Sequence, residues 1–287
     1  MKALITGISG FSGNHLKQLL EKEKINVQGF YGDLRNKTEV NQVVRTVKPQ
    51  WVFHLASPVL RSHQLIDESL VKNLEVDLFG TVNLIEALAE LPTKPRLLIT
   101  GTAAEYDPQI KGPRKETDAL KPNSSYGLSK LTQELISQQL CHSYALPLIY
   151  TRTFLLIGPG QKPGFVVNDW CQQLKQGVKV LKTGNLSIKR DFTDVRDGVR
   201  AYLLLMQQGQ PGTVYNVCSG KSQALKEIIQ ELKQVVKTDF QVNEAKNRFK
   251  NNDPLELFGD NRRLTTLGWQ PQISLAETLQ TMLDSTV

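Results

Sequence analysis

The 287-residue sequence predicts an α/β fold: a doubly wound parallel sheet joined to a smaller C-terminal α/β substrate lobe. Three observations predict it. Short strand-like apolar runs alternate with segments of helical period through the first half. A glycine-rich turn lies between the first such run and the first helix. After Gly158-Pro159-Gly160 the loops lengthen, and charged and apolar residues mix, as a second lobe interleaved with the sheet would require.

The elements come in order along the chain. Lys2 to Thr6 reads as the first strand, and Gly13 to Glu21 as a helix with Leu16, Leu19 and Leu20 at helical spacing. Asn26 to Tyr31 is a second strand, and Thr38 to Val47 a helix with Val40, Val43, Val44 and Val47 on one face. Trp51 to Leu55 and Leu97 to Gly101 are further strands. Between them Leu74 to Leu91 predicts a long helix with Leu78, Val82, Ile85 and Leu88 on one stripe. A helix from Tyr126 to Tyr144 comes after Pro122, with Ser124 or Ser125 as its N-cap, and Leu148 to Thr153 is the next strand. Residues 1–157 are thus expected to form the sheet domain, and 158–287 mainly the smaller lobe.

Composition narrows the classes. Hydrophobic residues make up 40%, enough for a sizeable core, and no apolar run reaches the roughly 18 residues of a membrane span. The start, Met1-Lys2-Ala3-Leu4-Ile5-Thr6-Gly7, is too short an apolar stretch for a signal peptide, so a cytoplasmic protein is expected. The 3 cysteines, Cys141, Cys171 and Cys218, are scattered without metal-ligand spacing, so no metal site is expected. Net charge is +7 and the pI about 9.2. A nucleic-acid surface is one reading of this excess. The basic residues are interspersed with acids, however, which fits a pocket for an anionic small molecule and no nucleic-acid partner.

Gly7-Ile8-Ser9-Gly10-Phe11-Ser12-Gly13 places glycines between a strand and a helix. Glycines permit the tight turn and close backbone approach, and the helix N-terminus offers free N–H groups to a pyrophosphate. Position after an N-terminal strand makes this a candidate dinucleotide loop of a Rossmann-type sheet. Asp33 lies at the spacing of an acid that holds the adenosine ribose and favours NAD, whereas Arg35 suits the 2′-phosphate of NADP. A plain turn at Gly32-Asp33 is the other reading.

Tyr126 and Lys130 are four residues apart, on one helical face. A cation near a phenol favours the phenolate and is expected to bring its pKa down from about 10. Such a pair exchanges protons with an alcohol or ketone near neutral pH. By itself this is a common surface pairing. Thr102, just past the Leu97 to Gly101 strand where open α/β sheets bind ligands, and the polar, proline-bearing segment 103–125 favour a cleft.

Together these pieces resemble the extended short-chain dehydrogenase/reductase family. The matching residues are Thr6-Gly7-x-x-Gly10-Phe11-x-Gly13, His54-Leu55-Ala56-Ser57, Gly80-Thr81-Val82-Asn83-Leu84, Thr102 with Tyr106, and Tyr126-x-x-x-Lys130. They continue through Arg152-Thr153-Phe154, Gly158-Pro159-Gly160-Gln161 and the run from Arg190 to Asp197. Tyr215 to Gly220 and Gly184-Asn185-Leu186 look most like reductases of GDP-4-keto-6-deoxymannose, then like GDP-mannose 4,6-dehydratases.

The resemblance implies an NAD(P)H-dependent reductase of a GDP-linked 4-keto-6-deoxyhexose. A 4-epimerase or 4,6-dehydratase, or a dinucleotide-sensing or nucleic-acid-binding protein on the same fold, are the alternatives. It implies Thr102, Tyr126 and Lys130 as catalytic residues. It puts NAD(P)(H) against Gly7, Gly10, Phe11, Ser12, Gly13, Asp33, Leu34, Leu55, Ala56, Ser57, Tyr126 and Lys130. Arg190 and Arg248 would face the nucleotide diphosphate, which a planar guanidinium suits, with Arg262 and Arg263 as weaker candidates. It also implies a homodimer through a four-helix bundle of the Leu74 to Leu91 and Tyr126 to Tyr144 helices. Leu128, Leu131 and Leu135 suit either that interface or packing on the sheet.

Dehydratases of the family carry an acid shortly before the position of Tyr106. Here Ala103 and Ala104 stand there, with Glu105 one place off, which disfavours dehydration. The chain departs from the family pattern at three points. A strand and helix are missing between the Asn26 strand and the Thr38 helix, so an edge strand is expected to be lost. Leu155 and Asp77 each stand where asparagine is usual.

Overall fold

The computed structural model describes residues 1–58, 70–236, 239–245 and 254–285. Six parallel strands form the main sheet: β1 (Lys2–Thr6), β2 (Asn26–Phe30), β3 (Trp51–His54), β4 (Arg96–Thr102), β5 (Leu148–Thr153) and, much later in the chain, β10 (Val214–Val217). Their order is β10-β5-β4-β3-β1-β2. β2 therefore closes one edge, as expected from the missing strand. The chain passes from β2 directly through residues 31–36 into α2 (Lys37–Val47), which Asn36 caps by accepting from Glu39 N.

Strand alternation decides which helices pack where. Ala3 and Ile5 join the core cluster containing Leu16 and Leu20 of α1 (Phe11–Lys22) and Val195, Val199 and Leu205 of α7 (Val195–Gln208). Leu4, between them, joins Val40 and Val44 of α2 and Leu84, Ile85 and Leu88 of α4 (Thr81–Ala89) on the other face. The sheet is covered on both sides, which is what a parallel sheet requires.

The single long helix expected over Leu74 to Leu91 is instead α3 (Leu70–Leu74), a π-helical stretch Glu75–Gly80, and α4. The wider π turn rotates α4 relative to a continuous α-helix. Leu78 and Val82 are only half-buried, and Thr81, Leu84, Ile85, Ala87 and Leu88 form the buried face. The expected stripe is thus corrected.

α5 (Ser125–Ser143) is capped by the Ser124 side chain accepting from Gly127 N. Its buried face is mostly polar: Ser129, Lys130, Gln133, Glu134 and Ser137. Leu128 and Leu135 are 43% and 58% exposed and do not pack on the sheet.

Beyond β5 come β6 (Leu155–Ile157), α6 (Val166–Lys175), β7 (Val180–Thr183), β8 (Lys189–Arg190) and β9 (Phe192–Asp194). After α7 and β10 are β11 (Gln223–Ala224), α8 (Leu225–Val235), β12 (Gln241–Glu244), β13 (Glu256–Leu257), α9 (Arg262–Thr266) and α10 (Leu275–Asp284). α6, α8 and α10 share a separate core of Trp170, Leu174, Ile228, Leu232, Leu279 and Met282. α7 and β10 return to the main sheet, so the C-terminal part is interleaved with it. Among the described residues no helix is long and apolar enough to cross a membrane.

Candidate active site

The glycine turn comes directly after β1. Gly7 has φ +72°, a left-handed conformation that favours glycine. A Cβ there would come 2.8 Å from Ala56 N, and one on Gly13 would come 2.2 Å from Gly7 O. α1 opens at Phe11 with no side chain capping its first turn, so its N-terminal N–H groups have no side-chain competitor. This backbone cradle, closed to any larger residue, fits a dinucleotide pyrophosphate.

A cleft of about 1980 Å³ spans the turn and the lobe. Its walls include Phe11 and Ser12 from the glycine turn, Leu55 and Ser57 after β3, and Thr102, Tyr126 and Lys130. Leu155 and Arg190 line it too. The sequence-predicted residues are thereby brought together across more than 170 positions of chain. Gly7, Gly10, Gly13 and Ala56 shape the turn from behind. Asp33 stands at the exposed end of β2, where Arg35 Nη2 meets its carboxylate at 2.7 Å and Arg35 Nη1 reaches Glu75 at 3.2 Å. Leu34 buries its side chain in the core, 5% exposed, and its carbonyl accepts from Asn83 Nδ2 at 2.9 Å.

Arg190 is buried, with Nη1 donating to the carbonyls of Lys189 and Pro254 at 2.7 and 2.8 Å. Arg248 lies outside the described residues. Arg262 pairs with Asp260 at 2.6 Å and Arg263 donates to Val214 O at 2.9 Å; neither lines the cleft.

Tyr126 is half-buried, and the Thr102 side chain hydrogen-bonds its hydroxyl. The expected depression of its pKa does not occur in this structure. Burial pushes the phenol above its ordinary value of 10.0, and the Asp77 carboxylate adds to the rise, which the Thr102 bond only partly offsets. Lys130 Nζ is itself 3.1 Å from Asp77 Oδ1, with both side chains almost wholly buried. The same ammonium donates to Gln133 Oε1 at 3.0 Å and to Thr100 O at 3.3 Å.

Asp77 is legible in the sequence as a departure from the family pattern, but its partner is not. Ser129 and Gln133 escape sequence reasoning, although Gln133 stands three residues after Lys130, a helical neighbour. Tyr202 escapes it as well. It lines the cleft, with its hydroxyl 3.0 Å from Thr153 Oγ1. Glu105, one place from the dehydratase acid position, is fully buried and accepts from Thr102 N at 2.7 Å. Burial and the neighbouring Glu134 push its carboxyl well above the ordinary range, and Arg152 lies 3.5 Å away. Only Ala103 and Ala104 of this trio reach the cleft.

A dinucleotide cradle opening onto a tyrosine, a threonine and a lysine defines an NAD(P)-dependent oxidoreductase of the extended short-chain dehydrogenase/reductase type. The family model described as GDP-mannose 4,6 dehydratase matches residues 21–282, and the chain belongs to that family. It is 30% identical over 295 residues to the GDP-6-deoxy-D-mannose reductase of Pseudomonas aeruginosa, covering 98% of this chain and 96% of that one. It is 27% identical over 271 residues to the GDP-6-deoxy-D-talose 4-dehydrogenase of Aggregatibacter actinomycetemcomitans, covering 92% and 90%. The structure of RMD from Pseudomonas aeruginosa complexed with NADPH superposes with a TM-score of 0.89 at 28% identity, covering 98% of this chain and 97% of that chain.

Proposed function

We propose that this chain is a cytoplasmic NAD(P)H-dependent reductase of a GDP-linked 4-keto-6-deoxyhexose. One observation carries the reading: the Tyr126 hydroxyl and its Thr102 partner face the same cleft as the glycine turn, while Glu105, one place from the acid position of the dehydratases, is buried away from it. A site so built can protonate a carbonyl oxygen, and the buried Glu105 is not in place to abstract a proton next to it.

Bound NAD(P)H supplies the hydride that reduces the C4 carbonyl. Ser12, Phe11 and the N–H groups of α1 hold the pyrophosphate, and the Ser57 and Leu55 wall lies alongside. Thr102 and Tyr126 hydrogen-bond the sugar O4, and Tyr126 gives it a proton, leaving an alcohol at C4. Arg190, in the cleft wall, meets the nucleotide diphosphate. The Pseudomonas reductase and the NADPH complex named above support this choice of substrate and cofactor.

The chain is further proposed to act as a homodimer. Val71, Phe79, Leu128 and Leu135 are 63%, 58%, 43% and 58% exposed, and they lie on α3, the π stretch and α5. Solvent exposure of four large apolar side chains on contacting helices is what a four-helix interface between two copies would cover.

The test is consumption of NADPH or NADH by purified protein given GDP-4-keto-6-deoxymannose, with the product analysed. Intact cofactor binding without consumption sinks the reductase. An altered sugar without net cofactor turnover makes the chain an epimerase instead.

A further inference from the structure

Three ionisable side chains meet in the interior behind the end of β4. Glu105, Glu134 and Arg152 are 0%, 2% and 3% exposed, and they come from the turn after β4, from α5 and from β5. Arg152 clasps Glu134 with both arms of its fork, Nε to Oε2 at 2.9 Å and Nη2 to Oε1 at 2.6 Å. Its Nη1 donates to the Tyr106 hydroxyl at 3.2 Å and to the Glu116 carbonyl at 3.0 Å. Glu105 Oε2 lies 3.5 Å from the same Nε that Glu134 already occupies. The Tyr106 hydroxyl donates to Asn216 Oδ1 at 2.7 Å, and among the described residues no hydrogen-bond donor serves Glu105 Oε2.

The other oxygen of Glu105 is engaged. Oε1 accepts from Thr102 N at 2.7 Å, with the Tyr150 hydroxyl at 3.3 Å. The carboxyl group lies against Gly101, where a Cβ would come 2.4 Å from Oε1. Thr102 Oγ1 accepts from Ala104 N at 3.3 Å, so both the backbone and the side chain of Thr102 are tied into this turn.

One guanidinium balances one carboxylate. A second carboxylate in the same dry space leaves a net negative charge and a buried acceptor without a donor, both strongly unfavourable. Two carboxyl groups that share a site keep a proton between them. The bidentate grip of Arg152 marks Glu134 as the ionised member, which leaves the proton on Glu105 Oε2. We propose that Glu105 is a positioning residue held as a neutral acid: its Oε2–H donates to Glu134 while Oε1 accepts from Thr102 N and fixes that threonine at the cleft. The importance of fixing Thr102 rests on the proposed reduction; the shared proton does not.

The ionisable groups around Glu105 are Glu134 and Tyr126 of α5, Arg152 and Tyr150 of β5, and Tyr106 beside it in the chain. Glu116 lies beyond Tyr106, and the paired Asp77 and Lys130 lie beyond Tyr150. Burial, then Glu134, hold the Glu105 carboxyl well above the ordinary value of 4.5.

Urea unfolding of the full chain from about pH 5 to about pH 7, without sugar or cofactor, counts the proton. The fold keeps it, whereas unfolded Glu105 releases it above 4.5, so this contribution to stability falls as pH rises. Glu105→Gln is the isostere of the neutral acid. Its amide donates to Glu134 and accepts from Thr102 N but has no proton to lose. The ratio of wild-type to E105Q unfolding constants should therefore rise about tenfold per pH unit. A ratio constant with pH, or an E105Q chain that circular dichroism shows unfolded, overturns the proposal. Positioning is read from kcat on the keto sugar. Glu105→Met should lower it about tenfold or more with KM for NADPH unchanged, and E105Q should restore most of the loss. E105Q no better than E105M overturns the positioning role. Failure of the reductase reading shows as no turnover by wild type and leaves the proton count unaffected.

Discussion

The imidazole of His54 stands 2.6 Å from the Thr6 hydroxyl, joining the last residue before the glycine turn to the polar interior. Its other nitrogen lies 2.8 Å from Thr81 Oγ1, and Thr6 Oγ1 also accepts from Ala56 N at 3.3 Å. A chain of hydrogen bonds therefore runs from the dinucleotide cradle through His54, Thr81 and Gln133 to Lys130.

That histidine should make the fold acid-sensitive. Burial, then Lys130, lowers its pKa from 6.5 to about 3. Between these values the unfolded chain binds a proton that the folded chain does not, so stability is full above pH 6.5 and is lost as pH falls through the window. Urea unfolding across this range should show a steeper fall for wild type than for His54→Asn. Parallel curves would contradict it.

Tyr126→Phe removes the proton donor and leaves the ring. Turnover of the keto sugar should fall by about 100-fold or more, the scale of general acid catalysis, with NADPH affinity little changed. Steady-state kinetics beside fluorescence binding decide it; retention of more than a tenth of the activity would remove Tyr126 from the mechanism.

At Gly13 a methyl group would meet Gly7 O at 2.2 Å and Ile8 Cα and O at 2.8 Å, all backbone atoms that cannot swing aside. Gly13→Ala should cost about 1–3 kcal/mol in stability by overpacking. It should also weaken NADPH binding about tenfold or more. Binding as tight as wild type would show that the pyrophosphate does not use this turn.

Arg35 clasps Asp33 through Nε and Nη2, at 3.0 and 2.7 Å, and neutralises the acid that would repel a 2′-phosphate. NADPH should bind more tightly than NADH, and Arg35→Ala should cut the ratio of affinities about tenfold, the worth of one charge-assisted bond. A ratio indifferent to the substitution would place the adenosine ribose elsewhere.

Leu128→Glu with Leu135→Glu charges the exposed apolar face of α5. Sedimentation should show wild-type dimers turned into folded monomers. A wild-type monomer, or a dimer that survives both charges, would refute the four-helix interface.

Local signals were legible wherever a short stretch of chain holds the information. The strands Lys2–Thr6 and Leu148–Thr153 appear with the bounds their apolar runs predict, and Ser124 caps α5 as its position before the helix suggests. The loss of an edge strand could be read from the short link between Asn26–Phe30 and Lys37–Val47. The π stretch could not, because its one extra residue per turn leaves no mark on composition, yet it moved the buried face from Leu78 and Val82 to Leu84. The polar buried face of α5 was equally hidden. Helical periodicity marks apolar stripes, and here the exposed side carries them.

By itself the sequence determined the parallel sheet, the glycine turn and the shared helical face of Tyr126 and Lys130, since each depends on spacing within a few residues. Only the tertiary structure decided the charge state of that pair's surroundings. Asp77 and Lys130 are 53 positions apart and meet because two helices pack over one sheet face. Burial of the phenol, and then that carboxylate, raise the tyrosine's pKa, which the spacing of the lysine alone does not reveal.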